Sequence, residues 1–162
     1  MTTIRSEARL QQSLAEVSRT LESADRQALE SIQYEEAQIG HHMTREWVMV
    51  AETSTIHQAI EELRRLGELP PQTDRIFVVD ARHVFRGSVP LPTLLVKDPA
   101  SPIIGAVAQD TVTCEPTEHV HQAVKAFERY DLVSAPVVDD RGKLVGRLTV
   151  DTVANRRAGL AS

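Results

Sequence analysis

Ile76-Phe77-Val78-Val79-Asp80 and Ala135-Pro136-Val137-Val138-Asp139 are one phrase written twice, 59 positions apart. The same shift lays Phe85 on Leu144, Gly87 on Gly146, Val89 on Leu148 and Thr93 on Thr152. Short apolar runs rich in β-branched residues and closed by Asp or Gly read as strands ended by turns. A match that persists through strand, turn and glycine marks an internal duplication. Upstream, Trp47-Val48-Met49-Val50 answers Thr111-Val112-Thr113-Cys114, with a few residues of slippage in the loop that follows.

Each copy has the same order. A strand is followed by a helix whose apolar face is Ile56, Ala59, Ile60, Leu63 and Leu66 in copy one, and Val120, Ala123, Val124, Phe127 and Tyr130 in copy two. Both sets have the three-and-four spacing of one helical face. Ser54 and Thr117 are the expected N-caps, and Gly67 the expected end of the first helix. Two short strands come next. Asp139-Asp140-Arg141-Gly142 joins them by a tight hairpin in copy two, whereas Asp80-Ala81-Arg82-His83 is a weaker turn that lacks the glycine. A last helix opens near Pro92 in copy one and near Thr149 or Asp151 in copy two. A unit of some 55 residues buries too little apolar surface to stand alone. Two units packed sheet to sheet bury both faces, so the pair is expected to fold as one.

Residues 2–38 contain no proline or glycine. Leu10, Leu14, Val17 and Leu21, then Leu29 and Ile32, have helical spacing, and Ser23-Ala24-Asp25 reads as a restart cap. Two helices are expected, about 4–21 and 24–33, with Tyr34 to Gly40 as a linker.

Composition excludes several classes. The 162 residues carry a net charge of −5, which disfavours a nucleic-acid binder because such a surface must displace phosphate counterions. No segment approaches the roughly 20 apolar residues that span a bilayer, and Met1-Thr2-Thr3-Ile4-Arg5 opens no signal peptide. The single cysteine, Cys114, sits in an apolar run and reads as a small core residue of a protein kept in a reducing compartment.

Strand, helix, strand, strand, helix in tandem resembles a CBS-domain pair. Gly142-Lys143-Leu144-Val145-Gly146-Arg147-Leu148-Thr149-Val150-Asp151 is similar to that family's last hairpin and helix start. Tyr34-Glu35-Glu36-Ala37-Gln38-Ile39-Gly40-His41-His42-Met43-Thr44 resembles the segment by which MgtE-type magnesium transporters enter their first CBS unit. Ala24-Asp25-Arg26-Gln27-Ala28-Leu29-Glu30 is similar to the last helix of their N-terminal domain, and Arg157-Ala158-Gly159-Leu160 to the region leading toward the membrane. The resemblance implies an α/β (α+β) fold of two β-α-β-β-α units packed sheet to sheet. Residues 1–39 would be a helical lead, 40–98 CBS unit 1, and 99–162 CBS unit 2 with a C-terminal helix. It also implies a cytosolic regulatory module that senses Mg2+ and gates ion transport. Its partners would be a second identical chain and a membrane transport domain, at the cytoplasmic face of the inner membrane.

Magnesium takes oxygen ligands and keeps several waters, so scattered carboxylates can serve it. The resemblance implies Asp131 as the leading ligand, with Glu128, Asp151 and Glu118 behind it. Several positions that are often acidic in the family hold His119, His121, Thr152 and Asn155 here, and imidazole suits magnesium poorly. Other CBS pairs bind adenosine nucleotides through a Thr or Ser followed three residues later by an Asp. Pro90 with Thr93, and Thr149 with Thr152, lack that Asp. Asp151 comes one residue early, turned by about 100° on a helix, so a nucleotide is disfavoured. A CBS scaffold with decayed ligand sites is the remaining alternative.

Enzymatic motifs are missing. There is no nucleophile elbow, no glycine-rich phosphate loop and no zinc-type spacing among the histidines 41, 42, 57, 83, 119 and 121. The chain is expected not to be an enzyme. Trp47 is expected to begin a strand and to seal the join with the N-terminal helices.

Overall fold

The computed structural model describes residues 33–108 and 111–161, with side chains described as far as Asn155. The chain divides into Met1–Gln33 and Tyr34–Ser162. The helices expected over 4–21 and 24–33, and any contact they make with Trp47, lie outside the described residues but for Gln33.

A one-turn helix, α1 (Ile39–His42), leads into β1 (Met49–Ala51), α2 (Ile56–Leu66), β2 (Arg75–Val79), β3 (Phe85–Pro90) and α3 (Leu91–Val96). A 3-10 turn at Ile103–Ala106 precedes α4 (Val120–Tyr130), β4 (Ser134–Val138), β5 (Leu144–Thr149) and α5 (Val150–Ala161). The first sheet runs β1-β2-β3, with β1 parallel and β3 antiparallel to β2. The second is the β4-β5 hairpin.

The duplication holds at the level of single hydrogen-bonded pairs. In the first hairpin Arg75 faces Pro90, Ile76 faces Val89, Val78 faces Gly87 and Val79 faces Phe85, with a bulge between Val78 and Val79. In the second, Ser134 faces Thr149, Ala135 faces Leu148, Val137 faces Gly146 and Val138 faces Leu144, with its bulge between Val137 and Val138. Every pair moves by the same 59 positions. The two turns also match. Asp80 Oδ1 accepts the Arg82 and Val84 N–H groups at 2.8 and 2.9 Å, and Asp139 Oδ1 accepts those of Arg141 and Lys143 at 2.9 Å each. The turn that lacks glycine is therefore not weaker in form. His83 takes the left-handed position, at φ 68°, that Gly142 takes at φ 80°.

The expected strand at Thr111-Val112-Thr113-Cys114 contracts to one bridge, Cys114 to Val137. Proline explains the loss. In the first copy the Phe77 N–H donates to Val48 C=O at 2.9 Å. The counterpart of Phe77 is Pro136, which has no N–H to give. Cys114 is buried as expected, and burial pushes its thiol up to about 12.

Strand β2 is buried on both faces. Ile76 and Val78 join Val48, Val50, Ile56, Ala59, Val89, Leu94 and Ile103 under the helices. Phe77 and Val79 turn the other way and meet Leu144 of β5, with Trp47, Met49 and Phe85 around them. The hairpin tips close the same seam: Phe85 N–H donates to Gly142 C=O at 2.8 Å, and Leu144 N–H to His83 C=O at 3.2 Å. The two halves thus share one interior.

Two straps cross between the halves. Ala37 C=O accepts the Val120 N–H at 2.7 Å, and Ile39 N–H donates to Glu118 C=O at 2.9 Å. In the reciprocal place Ser101 C=O accepts the Ile56 N–H at 3.0 Å, and Ile103 N–H donates to Ser54 C=O at 2.8 Å. Each segment that enters a unit therefore docks on the first helix of the other unit. The paired glycines make room for the same straps. A Cβ on Gly87 would overlap the Val107 side chain, and one on Gly146 the Met43 side chain.

The caps differ from the expected ones. Thr55, not Ser54, caps α2 in a box with Gln58, and Ser54 is buried where its carbonyl serves the strap. His119, not Thr117, caps α4. Gly67 ends α2 as expected, at φ 70°.

Candidate functional site

Helix α4 carries three of the four expected carboxylates at or beside its ends. Glu118 precedes it, half-buried, with Oε1 accepting the Glu115 N–H at 2.8 Å. Glu128 lies exposed in its last turn. Asp131 caps its C-terminus with its side chain in solvent and its N–H donating to Phe127 C=O. Eleven helical residues separate Glu118 from Asp131, a rise of about 16 Å, so these two cannot ligate one ion. Asp151 stands exposed in the first turn of α5, its N–H donating to Gln72 Oε1 at 3.3 Å.

Among the described residues no three His, Cys, Asp or Glu side chains gather as a metal-ligand group. Glu128 and Asp131, three positions apart around the helix end, are the pair that chain geometry brings nearest. Exposed single carboxylates suit a cation that retains its water shell, and do not form a closed cage.

Asp131 has a conformation that sets it apart. Its φ and ψ, 52° and 49°, are left-handed, and its counterpart 64 positions earlier is Gly67. A carboxylate thus occupies a helix end that glycine fills without strain.

The second cluster surrounds Arg147, which sequence reasoning did not single out. It is 3% exposed on β5. Its guanidinium donates to Pro71 C=O and to Gln72 C=O (2.6 and 3.3 Å), while Nε has no partner among the described residues. Burial pulls its pKa below the usual value, opposed by the charges of Asp74 and Glu46. Asp74 accepts the Ser134 hydroxyl and pairs with Arg75 at 3.1 Å. These contacts hold the loop Gly67–Asp74, whose eight residues correspond to only three, Asp131–Val133, in the second copy. That length difference is the slippage seen in the sequence. Thr149 and Thr152 share a hydroxyl contact at 3.2 Å, and Asp151 points out to solvent beside them.

Comparison with known proteins gives this arrangement its family. Residues 104–159 match the CBS domain, and the first hairpin repeats the matched one pair for pair. A cystathionine β-synthase pair domain from Shewanella oneidensis MR-1 superposes with a TM-score of 0.74 at 23% identity, over 87% of this chain and 88% of that one. The chain is a tandem CBS-domain module, and it resembles the cytosolic part of MgtE magnesium transporters. The magnesium transporter MgtE of Thermus thermophilus is 32% identical over 120 residues, 74% of this chain and 27% of that protein. The CBS pair spans about a quarter of the length of the curated relatives it matches. The cytosolic domain of the Mg2+ channel MgtE in complex with ATP superposes with a TM-score of 0.72 at 32% identity, over 76% of this chain and 50% of that one. No helix among the described residues is long and apolar enough to cross a membrane.

Proposed function

We propose that this CBS pair is a cytosolic regulatory module of an MgtE-type magnesium transporter, with units at 40–98 and 99–162, that senses Mg2+ and gates ion transport. The observation that carries the reading is the 32% identity to a magnesium transporter along 120 residues, 74% of this chain. The module is not an enzyme. Its work is to change packing when a cation neutralises carboxylates that otherwise repel a neighbouring acidic surface. Asp131 and Glu128 hold the ion through its water shell, with Asp151 and Glu118 at separate positions. The neighbouring surfaces belong to a second identical chain and to a membrane transport domain, which places the module at the cytoplasmic face of the inner membrane. The left-handed Asp131 supports the assignment, because a carboxylate there is kept at a conformational cost that glycine would avoid.

Thermal unfolding with and without millimolar Mg2+ tests the reading. A ligand that binds only the folded state raises Tm. The wild type is expected to rise, and Asp131→Gly, which suits the left-handed backbone, to fold as well or better while losing at least half of that rise. An equal rise in both would remove Asp131 from the site, and no rise would contradict cation sensing.

A second reading, an adenosine-nucleotide-binding module, is favoured by the relative at 32% identity whose structure contains ATP. Thr93 and Thr152, which stand where that motif places its Asp, oppose it. A Tm shift with ATP and none with Mg2+ would select it. No shift with either would select a scaffold with decayed sites.

A further inference from the structure

The two hairpins place one arginine and one serine on the same sheet face, in exchanged positions. At the 59-residue shift Arg75 becomes Ser134, and Ser88 becomes Arg147. The first arginine is answered inside its own copy, donating to Ser88 Oγ at 3.2 Å and pairing with Asp74 at 3.1 Å. The second is answered from the other copy. The loop Gly67–Asp74 brings the Pro71 and Gln72 carbonyls to the two terminal nitrogens of Arg147, at 2.6 and 3.3 Å. The same Gln72 sends Oε1 to the Asp151 N–H, in the first turn of α5, at 3.3 Å.

We propose that this loop is an internal plug: its own oxygens fill a seat for a phosphate-bearing solute, formed by the Arg147 guanidinium and the positive end of α5. A guanidinium beside the first N–H groups of a helix is the donor set that recognises phosphate oxygens. The loop fills that set incompletely. Arg147 is 3% exposed, and its buried Nε has no partner among the described residues. A buried donor without an acceptor is costly, and a group with several oxygens can answer it where two carbonyls do not. The plug also sits at a cost of its own, because Gln72 holds a left-handed backbone, at φ 58°. The seat rests on Arg147, not on the Asp of the adenosine motif, whose place Thr152 takes.

The neighbouring charges leave room for an anion. Asp74 faces Arg147 but is engaged by Arg75 and by the Ser134 hydroxyl. Glu46 and Asp151 are exposed, where solvent screens them. In the wild type the plug competes from a short tether, at an effective concentration of about millimolar, and so holds a free anion off. An entering phosphate must release the loop, so the solute and this tie between the copies exclude each other.

The test uses the full chain in magnesium-free buffer, with inorganic triphosphate as the probe and ATP and adenosine as separate arms. Gln72→Gly suits the left-handed backbone and removes the oxygen from the Asp151 N–H. Calorimetry is expected to show triphosphate binding to this variant roughly tenfold more tightly than to the wild type, the effect of one recovered hydrogen bond to a charged group. In nitrogen-15 NMR the Arg147 Nε–H and the Asp151 amide are expected to shift together as triphosphate is added. ATP is expected to move the same two signals, and adenosine to move neither. Equal affinity in the two proteins, binding to neither, signals that stay still, or a response to adenosine would each overturn the proposal. Should Gln72→Gly not fold, Gln72→Asn takes its place, since it tolerates the left-handed backbone and is one carbon shorter. With no magnesium present, a failure of cation sensing leaves these outcomes unchanged.

Discussion

Gly87 shows how much one missing side chain can carry. It sits at φ 142°, opposite Val78 beside the bulge, and a Cβ there would overlap Val107. Gly87→Ala is therefore expected to lower stability by about 2 kcal/mol or more, through strain and a displaced strap together, as denaturant unfolding would measure. Gly146 was visible in the sequence as its partner at the 59-residue shift, but the reason for both glycines was not. Met43 and Val107 lie far from them along the chain, and periodicity does not say which segment crosses to which sheet. The caps were misplaced for a related reason. Ser54 and Thr117 have the right side chains, yet Ser54 is buried under a strap and Thr117 lies outside the first turn. Histidine is a rare cap, so composition gave no signal for His119.

Among the elements, the loop Gly67–Asp74 was legible only as slippage between two repeat shifts. In the fold it reaches the second copy. Pro71 and Gln72 offer carbonyls to Arg147, Gln72 Oε1 takes the Asp151 N–H, and Asp74 takes the Ser134 hydroxyl. Gln72 reaches these partners from a left-handed backbone, at φ 58°. The loop thus ties the first copy to the start of α5. Arg147 is the residue on which this depends, since its guanidinium is the donor for both carbonyls. Arg147→Ala is expected to lower stability by about 1–3 kcal/mol, because the two carbonyls lose the charged donor that a buried arginine supplies. Amide exchange is expected to speed up in residues 72–74 and at Asp151 together. Faster exchange in the loop with Asp151 unchanged would show that the loop and α5 are independent. A sequence pattern of polar residues around two prolines predicts a loop, but not that an arginine from another sheet will fill it.

For the molecule as a whole, the duplication read from ten residues extends to a shared register, shared bulges, reciprocal straps and joined hairpin tips. The unbroken apolar run Ile76, Phe77, Val78 and Val79 suits the strand's burial on both faces, because no position in it is polar. What the repeat could not reveal was the asymmetry between copies, which comes from Pro136 deleting one ladder bond and from the longer loop in the first copy. The seam between β2 and Leu144 of β5 joins the two halves as a single body, and the proposed regulation by a solute depends on that coupling. Native-state hydrogen exchange on Val137→Ala measures it most directly. Val137 is fully buried in the second copy, and its loss is expected to cost about 1–3 kcal/mol. The amides of Ile76 to Val79 in the first copy are expected to lose the same opening free energy as those of Leu144 to Leu148. If β2 amides keep their wild-type protection while β5 amides lose theirs, the two copies fold separately and the account is contradicted.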